Sequence, residues 1–310
     1  MSAPTTTNPV SSFPKRSWRR FTLRALFLVV LAAGIFFGWV AYRVRQFHEQ
    51  AAVIADFRSR GFGIETAPVS QAWFWRTVAG DAAVNVKWAD LLVQTPNGSS
   101  VSGPSIEDLK RIRTWTSIGS LQCYGSNVND NTITVVCNFR KLHTLRLLDT
   151  AITGAGLEQL ESLSNLATLS ISYHSQDSSG DCNSLNDGFI RLIGTAKPFV
   201  NIQVMGIHIR EDVLGNIAAH CTDLKGLDLE KCGVNDRGLA HLQRLSRLHW
   251  LGLPGNASIT DNGLRQLYGL HSLKTLILSQ TSVSENGVRL LRKRLPKTNI
   301  VAYDLRAARK

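Results

Sequence analysis

The residues of this chain that could carry chemistry are a recurring set of acids, five cysteines and eight histidines. The acids follow a small polar residue each time: Asn129-Asp130, Asn186-Asp187, Asn235-Asp236, Thr260-Asp261 and Ser284-Glu285. Carboxylates in series invite a general acid–base reading. Their neighbours favour a different one. Asn, Thr and Ser are helix N-cap residues, and an acid one position later meets the positive end of a helix dipole. All five pairs are therefore read as helix starts. The histidines share no common spacing, and the chain holds no HExxH, GxSxG, P-loop or dinucleotide fingerprint. His220-Cys221 with Cys232 and His241 could be drawn as metal ligands, but no CxxC or paired metal spacing accompanies them. The reading is a non-enzyme with neither a metal nor a cofactor. Cys123, Cys137, Cys182, Cys221 and Cys232 are expected to be small buried hydrophobes at repeat positions, the rival being one disulfide that involves Cys182.

The elements that must position these residues repeat along the chain. Leu224-x-x-Leu227-x-Leu229 spaces its leucines as a strand does, and Leu239-x-x-Leu242-x-x-Leu245 spaces them as a helical turn does. A unit so short cannot bury its own apolar face, so copies must stack on either side. Its lead position recurs at Ile118, Leu142, Leu166, Phe199, Leu224, Leu248 and Leu273, in steps of 24, 24, 33, 25, 24 and 25. The phase, held over seven leads, is the signal. The long step contains a polar insertion, Gln176–Asn183, expected as an exposed loop. Successive parallel strands should join in one curved sheet, giving an α/β solenoid of about 7–8 repeats. The ninth position of each unit (Ser126, Thr150, Cys232, Thr281) is expected to offer a small donor to backbone carbonyls. Ile207 breaks that rule, so irregularity is expected there. Gly156, Gly238, Gly263 and Gly287 should admit close approach of the neighbouring repeat.

Charge divides the chain. The net is +12, but residues 1–60 hold nine Lys/Arg against two acids and residues 285–310 hold eight against two. The remaining body carries 18 basic and 19 acidic residues, so the basic excess lies at the ends. That distribution suits a membrane-flanking segment and a basic tail rather than nucleic acid, and no nucleic-acid partner is expected. Residues 1–20 are read as a disordered basic terminus and 21–42 as a transmembrane helix, because Ala25–Tyr42 is an uncharged apolar run. Trp39 and Tyr42 suit its interfacial end. Five basic residues precede the uncharged run, which predicts a cytoplasmic N-terminus and an extracytoplasmic repeat domain, a single-pass signal-anchor. Gly34-x-x-x-Gly38 would allow a weak homodimer.

Residues 43–63 read as a juxtamembrane helix whose stripe of Val44, Phe47, Ala51, Ile54 and Phe57 docks on the domain. Residues 64–117 are assigned to an N-terminal cap and a degenerate first repeat led by Trp88, with Trp73-Phe74-Trp75-Arg76 packed on that repeat. The repeat domain is placed at 118–305, closed by a strand through Ile300, Ala302 and Leu305, with a basic tail at 306–310.

Residues alternating with the inward leucines project from the concave sheet. Among them Tyr124, Arg146, Leu148, Met205, Asp228, Glu230, Trp250 and Ile277 are the candidate protein-binding residues. Aromatics, Met and Arg are the types enriched at binding hot spots.

On its repeats the chain resembles leucine-rich repeat proteins. A basic N-terminus, one span, Phe57-Arg-Ser-Arg-Gly61-Phe-Gly63, Trp73-Phe-Trp-Arg76 and units of the type Val234-Asn-Asp-Arg-Gly-Leu239 make it similar to membrane-anchored leucine-rich repeat proteins of planctomycete bacteria. The resemblance covers residues 16–303, more loosely over 64–116. It implies a right-handed horseshoe serving as a protein- or peptide-binding scaffold, with no catalytic residue to carry over. The insertion and the unit led by Phe199 depart from the pattern, and a disturbed sheet is expected there. Two other readings are an intracellular ubiquitin-ligase-type substrate adaptor, whose repeats often carry Cys where Cys232 stands, and a structural cell-envelope protein.

Overall fold

The computed structural model describes residues 23–68, 72–79, 84–91, 105–112, 118–173, 182–195 and 197–303. The basic cluster before residue 23, Val93, most of the insertion, Leu305 and the basic tail lie outside them. Two compact units divide the chain, Met1–Gln46 and Phe47–Lys310. A helix, α1 (Leu23–Ser59), runs through both. In the first unit its apolar side chains face outward: Phe27, Ile35 and Phe37 are each about two-thirds exposed. Gly34 and Gly38 border open space.

The second unit is built on a ten-stranded sheet in chain order. Strand β1 (Gly63–Pro68) pairs antiparallel with β2 (Val84–Leu91). From β2 onward every pair is parallel: β3 (Ser120–Tyr124), β4 (Thr144–Leu148), β5 (Thr168–Ser172), β6 (Asn201–Met205), β7 (Gly226–Glu230), β8 (Trp250–Gly252), β9 (Thr275–Ile277) and β10 (Asn299–Val301). Each strand from β3 to β9 opens two residues after a lead position. All seven leads and the leucines beyond them are buried in one continuous core. Burying a Leu or Ile side chain is worth roughly 1.5–3 kcal/mol. That stabilises repeats that have no core of their own.

Helical segments return the chain between strands: α4 (Asp130–Val136), α5 (Gly154–Gln159), α6 (Cys182–Gly194), α7 (Glu211–His220), α8 (Asp236–Leu242), α9 (Asp261–Leu264) and α10 (Glu285–Arg294). Short 3-10 turns extend α5 and α9. Leu157/Leu160/Leu163, Leu239/Leu242/Leu245 and Leu264/Leu267/Leu270 are buried as the spacing predicts. Two further helices, α2 (Ala72–Ala79) and α3 (Ile106–Ile112), belong to the N-terminal region.

Asn129, Asn235, Thr260 and Ser284 are N-caps, and each accepts a bond from a backbone N–H of its own first turn. The acids that follow do more than face a dipole. Asp130 accepts from the N–H and hydroxyl of Thr153 (2.9 and 2.6 Å), Asp236 from those of Thr260 (2.8 and 2.6 Å), and Asp261 from those of Ser284 (2.8 and 2.6 Å). Each acid therefore orients the cap of the next repeat. Gly156, Gly263 and Gly287 make room for it: a Cβ there would lie 2.3, 2.3 and 2.1 Å from the carboxylate of the preceding repeat.

Several expectations are corrected. Asn186 is not a cap; it is buried inside α6, donates to the carbonyls of Cys182 and His208, and accepts from Arg210 N. The helix it was meant to start begins at Cys182, because residues 182 and 183 belong to α6 rather than to the loop. The sheet is not disturbed at the Phe199 unit: β5, β6 and β7 pair in register over five residues each, and Ile207 is buried as an apolar replacement for the usual polar filler. Ser126 is exposed rather than a buried donor. The first repeat is not led by Trp88, which pairs with Ser120 and so sits two residues beyond the lead register. The Trp75 ring lies 5.4 Å from that of Phe47 on α1. Phe47, Ile54 and Phe57 of the apolar stripe are buried in the second unit.

The ninth position holds one residue that spacing alone passed over. Asn256 is buried; its Oδ1 accepts from the N–H groups of Cys232 and Val234 (both 3.0 Å), and its Nδ2 donates to the carbonyls of Leu229 and Leu253 (2.7 and 2.9 Å). Cys232 and Thr281 play smaller versions of this part, the thiol donating to the carbonyl of Val204 and the hydroxyl to that of Leu278. The residue one place earlier turns the chain through positive φ at Gly125, Asp149, Gly206, Lys231, Gly255 and Gln280.

Candidate functional site on the open face of the sheet

Alternation in β3 to β9 leaves one face of the sheet turned away from the core, and the paired register arranges its side chains in three rows. The first row runs through Ser120, Thr144, Thr168, Asn201, Gly226, Trp250 and Thr275. In the middle row, Arg146 of β4 is followed by Ser170, Gln203, Asp228, Gly252 and Ile277 on the next five strands. The third row brings Tyr124 opposite Leu148, then Ser172, then Met205 opposite Glu230.

All eight candidate residues lie on this face, but they form two groups rather than one patch. Tyr124, Arg146 and Leu148 occupy β3 and β4, and Met205, Asp228, Glu230 and Trp250 occupy β6 to β8, with Ile277 beyond on β9. Between the groups lies β5, which presents only Thr168, Ser170 and Ser172. With strands about 4.8 Å apart, Arg146 and Trp250 are separated by roughly 19 Å. Arg146 is exposed; Tyr124, Leu148, Met205, Glu230, Trp250 and Ile277 are partly covered, and Asp228 is buried.

The second group is held by contacts that the spacing did not disclose. Ser170 Oγ donates to Gln203 Oε1 (3.0 Å), and Gln203 Nε2 donates to Asp228 Oδ2 (3.2 Å). The other oxygen, Asp228 Oδ1, is out of contact with solvent and has no hydrogen-bond partner. It occupies space left by the missing side chain of Gly252, where a Cβ would lie 2.4 Å from it and 2.8 Å from Trp250 Cη2. Burial pushes the Asp228 carboxyl up to about 6; the bond from Gln203 opposes this and the charge of Glu230 adds to it. Glu230 itself has Lys231 at 3.9 Å. At the other group the Tyr124 phenol is raised, by burial first and then by the Asp149 carboxylate. Gln203 and Gly252 are the functional-site residues that sequence reasoning missed. A usable signal existed: an acid on one strand faces a glycine at the same register of the next repeat.

Among the described residues the cysteines and histidines do not converge. The five thiols are free. Burial pushes the Cys221 and Cys232 thiols up to about 12, which disfavours the thiolate that metal binding and nucleophilic attack require. His220 Nδ1 faces the Asn216 carbonyl. Among the described residues no group of three or more His, Cys, Asp or Glu side chains could hold a metal ion.

The parallel one-strand-per-repeat sheet, the shared leucine core and the returning helical turns define a leucine-rich repeat solenoid. No family model matches the chain. Similar solved structures include Rad7 in its complex with Elc1 from yeast, 13% identical, covering 91% of this chain and 73% of that one at a TM-score of 0.56. Internalin C2 of Listeria monocytogenes is 18% identical and covers 69% of this chain and 80% of that one at a TM-score of 0.46. The likeness is one of fold.

Proposed function

We propose that this chain is a non-enzymatic protein- or peptide-binding scaffold held at a membrane by its N-terminal apolar helix, with the ligand on the concave sheet. The observation that carries the reading is the open sheet face, where Tyr124, Leu148, Met205, Trp250 and Ile277 stay part-exposed although the alternate residues of the same strands are wholly buried. Partly exposed aromatics and Met on rigid strands are anchors for a partner, and monomers otherwise expose few such groups together. A span at 21–42 is supported by the exposed apolar surface of α1, and the basic residues before it favour a cytoplasmic N-terminus. This is the arrangement of the planctomycete-type membrane-anchored repeat proteins. In it the repeat domain at 118–305 stands outside the cytoplasm, and Gly34 and Gly38 offer a weak homodimer contact.

The test is proximity labelling from the repeat domain in the native host, repeated with a Tyr124→Ala/Arg146→Ala/Trp250→Ala variant. Loss of the labelled partners from a folded variant supports the reading, and an unchanged partner set overturns it. Protease added to intact spheroplasts should digest the repeat domain; protection would reverse the orientation.

A second reading, a substrate adaptor of the ubiquitin-ligase type, is compatible with the fold likeness to Rad7, which was solved in complex with Elc1. That role needs a cytoplasmic solenoid, so the protease experiment separates the two.

A further inference from the structure

The Asp228 notch has the makings of a half-built ion pair. Asp228 stands on β7 with one oxygen fixed by the Gln203–Ser170 chain and the other unpaired in the gap over Gly252. A buried acceptor without a donor is destabilising, and its retention is accounted for where something else supplies the donor. No cationic side chain of the adjoining strands faces it. β6 offers Asn201, Gln203 and Met205, and β8 offers Trp250 and Gly252, none of them charged. On β7 itself the near charges are Glu230 and, one residue on, Lys231, whose ammonium lies nearest Glu230. Beside the gap lies Trp250, a partly exposed aromatic. An aromatic ring next to a carboxylate is the environment that a guanidinium or ammonium prefers.

We propose that Asp228, Trp250 and Glu230, with Gly252 providing the space, form a subsite on the concave face for a cationic side chain, arginine or lysine, of a protein or peptide partner. The proposal rests on the concave-face reading above and specifies its chemistry. A bound cation supplies the missing donor to Asp228 Oδ1 after a small outward movement of the Trp250 ring. It also favours the ionised carboxylate, so binding releases the proton that Asp228 holds at mildly acid pH. Affinity therefore rises as pH passes from about 5 to 7 and then levels off. His249, whose Nδ1 lies 2.6 Å from the Arg247 carbonyl, precedes Trp250 in the chain, so the pH profile is read against an Asp228→Asn variant.

The experiment uses the full chain in detergent with indole-15N tryptophan, the Trp250 signal being assigned by Trp250→Phe. The probes are blocked, amidated glycine pentapeptides with a central arginine, lysine or glutamine. Arginine and lysine peptides should shift the Trp250 indole signal saturably, more strongly at pH 7 than at pH 5, and the glutamine peptide should not. Asp228→Asn, with its fold checked by thermal melting, should weaken the arginine peptide at least about tenfold and flatten its pH profile. Equal response to the glutamine peptide, no response to any peptide, or an unchanged pH profile in Asp228→Asn overturns the subsite. Those outcomes leave the concave-face reading standing, since that reading falls only if the triple alanine variant keeps its partners.

Discussion

Asp236 of one repeat holds Thr260 of the next by both carboxylate oxygens, one on the backbone N–H at 2.8 Å and one on the hydroxyl at 2.6 Å. Thr260 then caps its own helix through Asn262 N. The clamp recurs as Asp130–Thr153 and Asp261–Ser284. Solenoid stability is a sum of repeat and neighbour-interface contributions, and this pairing belongs to the interface.

Asp236→Ala should destabilise the domain by about 1–3 kcal/mol, because a partly buried N–H and hydroxyl lose a charged acceptor. Gly263→Ala should cost a similar amount by driving a methyl to within 2.3 Å of Asp236 Oδ1. Joined, the two changes should be less than additive, as the carboxylate that meets the methyl is gone. Chemical denaturation of the four-member cycle measures the coupling.

Leu229→Ala should cost about 2–5 kcal/mol through the cavity left between β7 and the helical turns. Asn256→Ala should cost at least about 3 kcal/mol, since two N–H groups and two carbonyls lose their partner at about 1–3 kcal/mol for each group left unsatisfied. Both are read from denaturation midpoints, and a variant that unfolds with wild type would place that residue outside the core.

Asp228 makes stability depend on pH in the sense opposite to an ion-paired acid. Its folded carboxyl titrates at about 6 against an ordinary value of 3.8, so the folded state binds more protons than the unfolded state between those values. Stability therefore falls as pH rises from about 4 to about 6 and then holds level. Asp228→Asn should remove that fall and melt no lower than wild type at pH 7. Melting curves across pH 4–8 for both proteins decide it.

Gly252→Ala should push the Asp228 carboxylate and the Trp250 ring off their positions, because its Cβ would meet both inside 3 Å. The expected result is a moved Trp250 indole signal and a domain less stable by about 1–3 kcal/mol. An indole signal at the wild-type position would refute the close packing.

Much of the fold was legible because its causes are periodic. Alternation in the strands, a spacing of three in the helical turns and a lead residue every 24 or 25 positions each follow from local geometry, so burial of Leu229 and of Leu239 could be read one residue at a time. N-caps are equally local, which is why Asn129, Asn235, Thr260 and Ser284 were readable and Asn186, drawn into a helix that starts four residues earlier, was not. The first repeat escaped because Trp88-x-x-Leu91 matches the spacing in the wrong register.

The sequence by itself determined the solenoid, its inward residues and which side chains share the open face, since each of these is set by neighbours a few positions away. Tertiary structure decided what those side chains meet. Asp236 reaches Thr260, Asn256 bridges two turns, and Asp228 Oδ1 is shut from solvent beside Gly252 because stacking brings residues 22–27 positions apart into contact. Spacing fixes that such residues are adjacent. Only the packed repeats fix whether the contact is a clamp, a clash or an oxygen left without a donor.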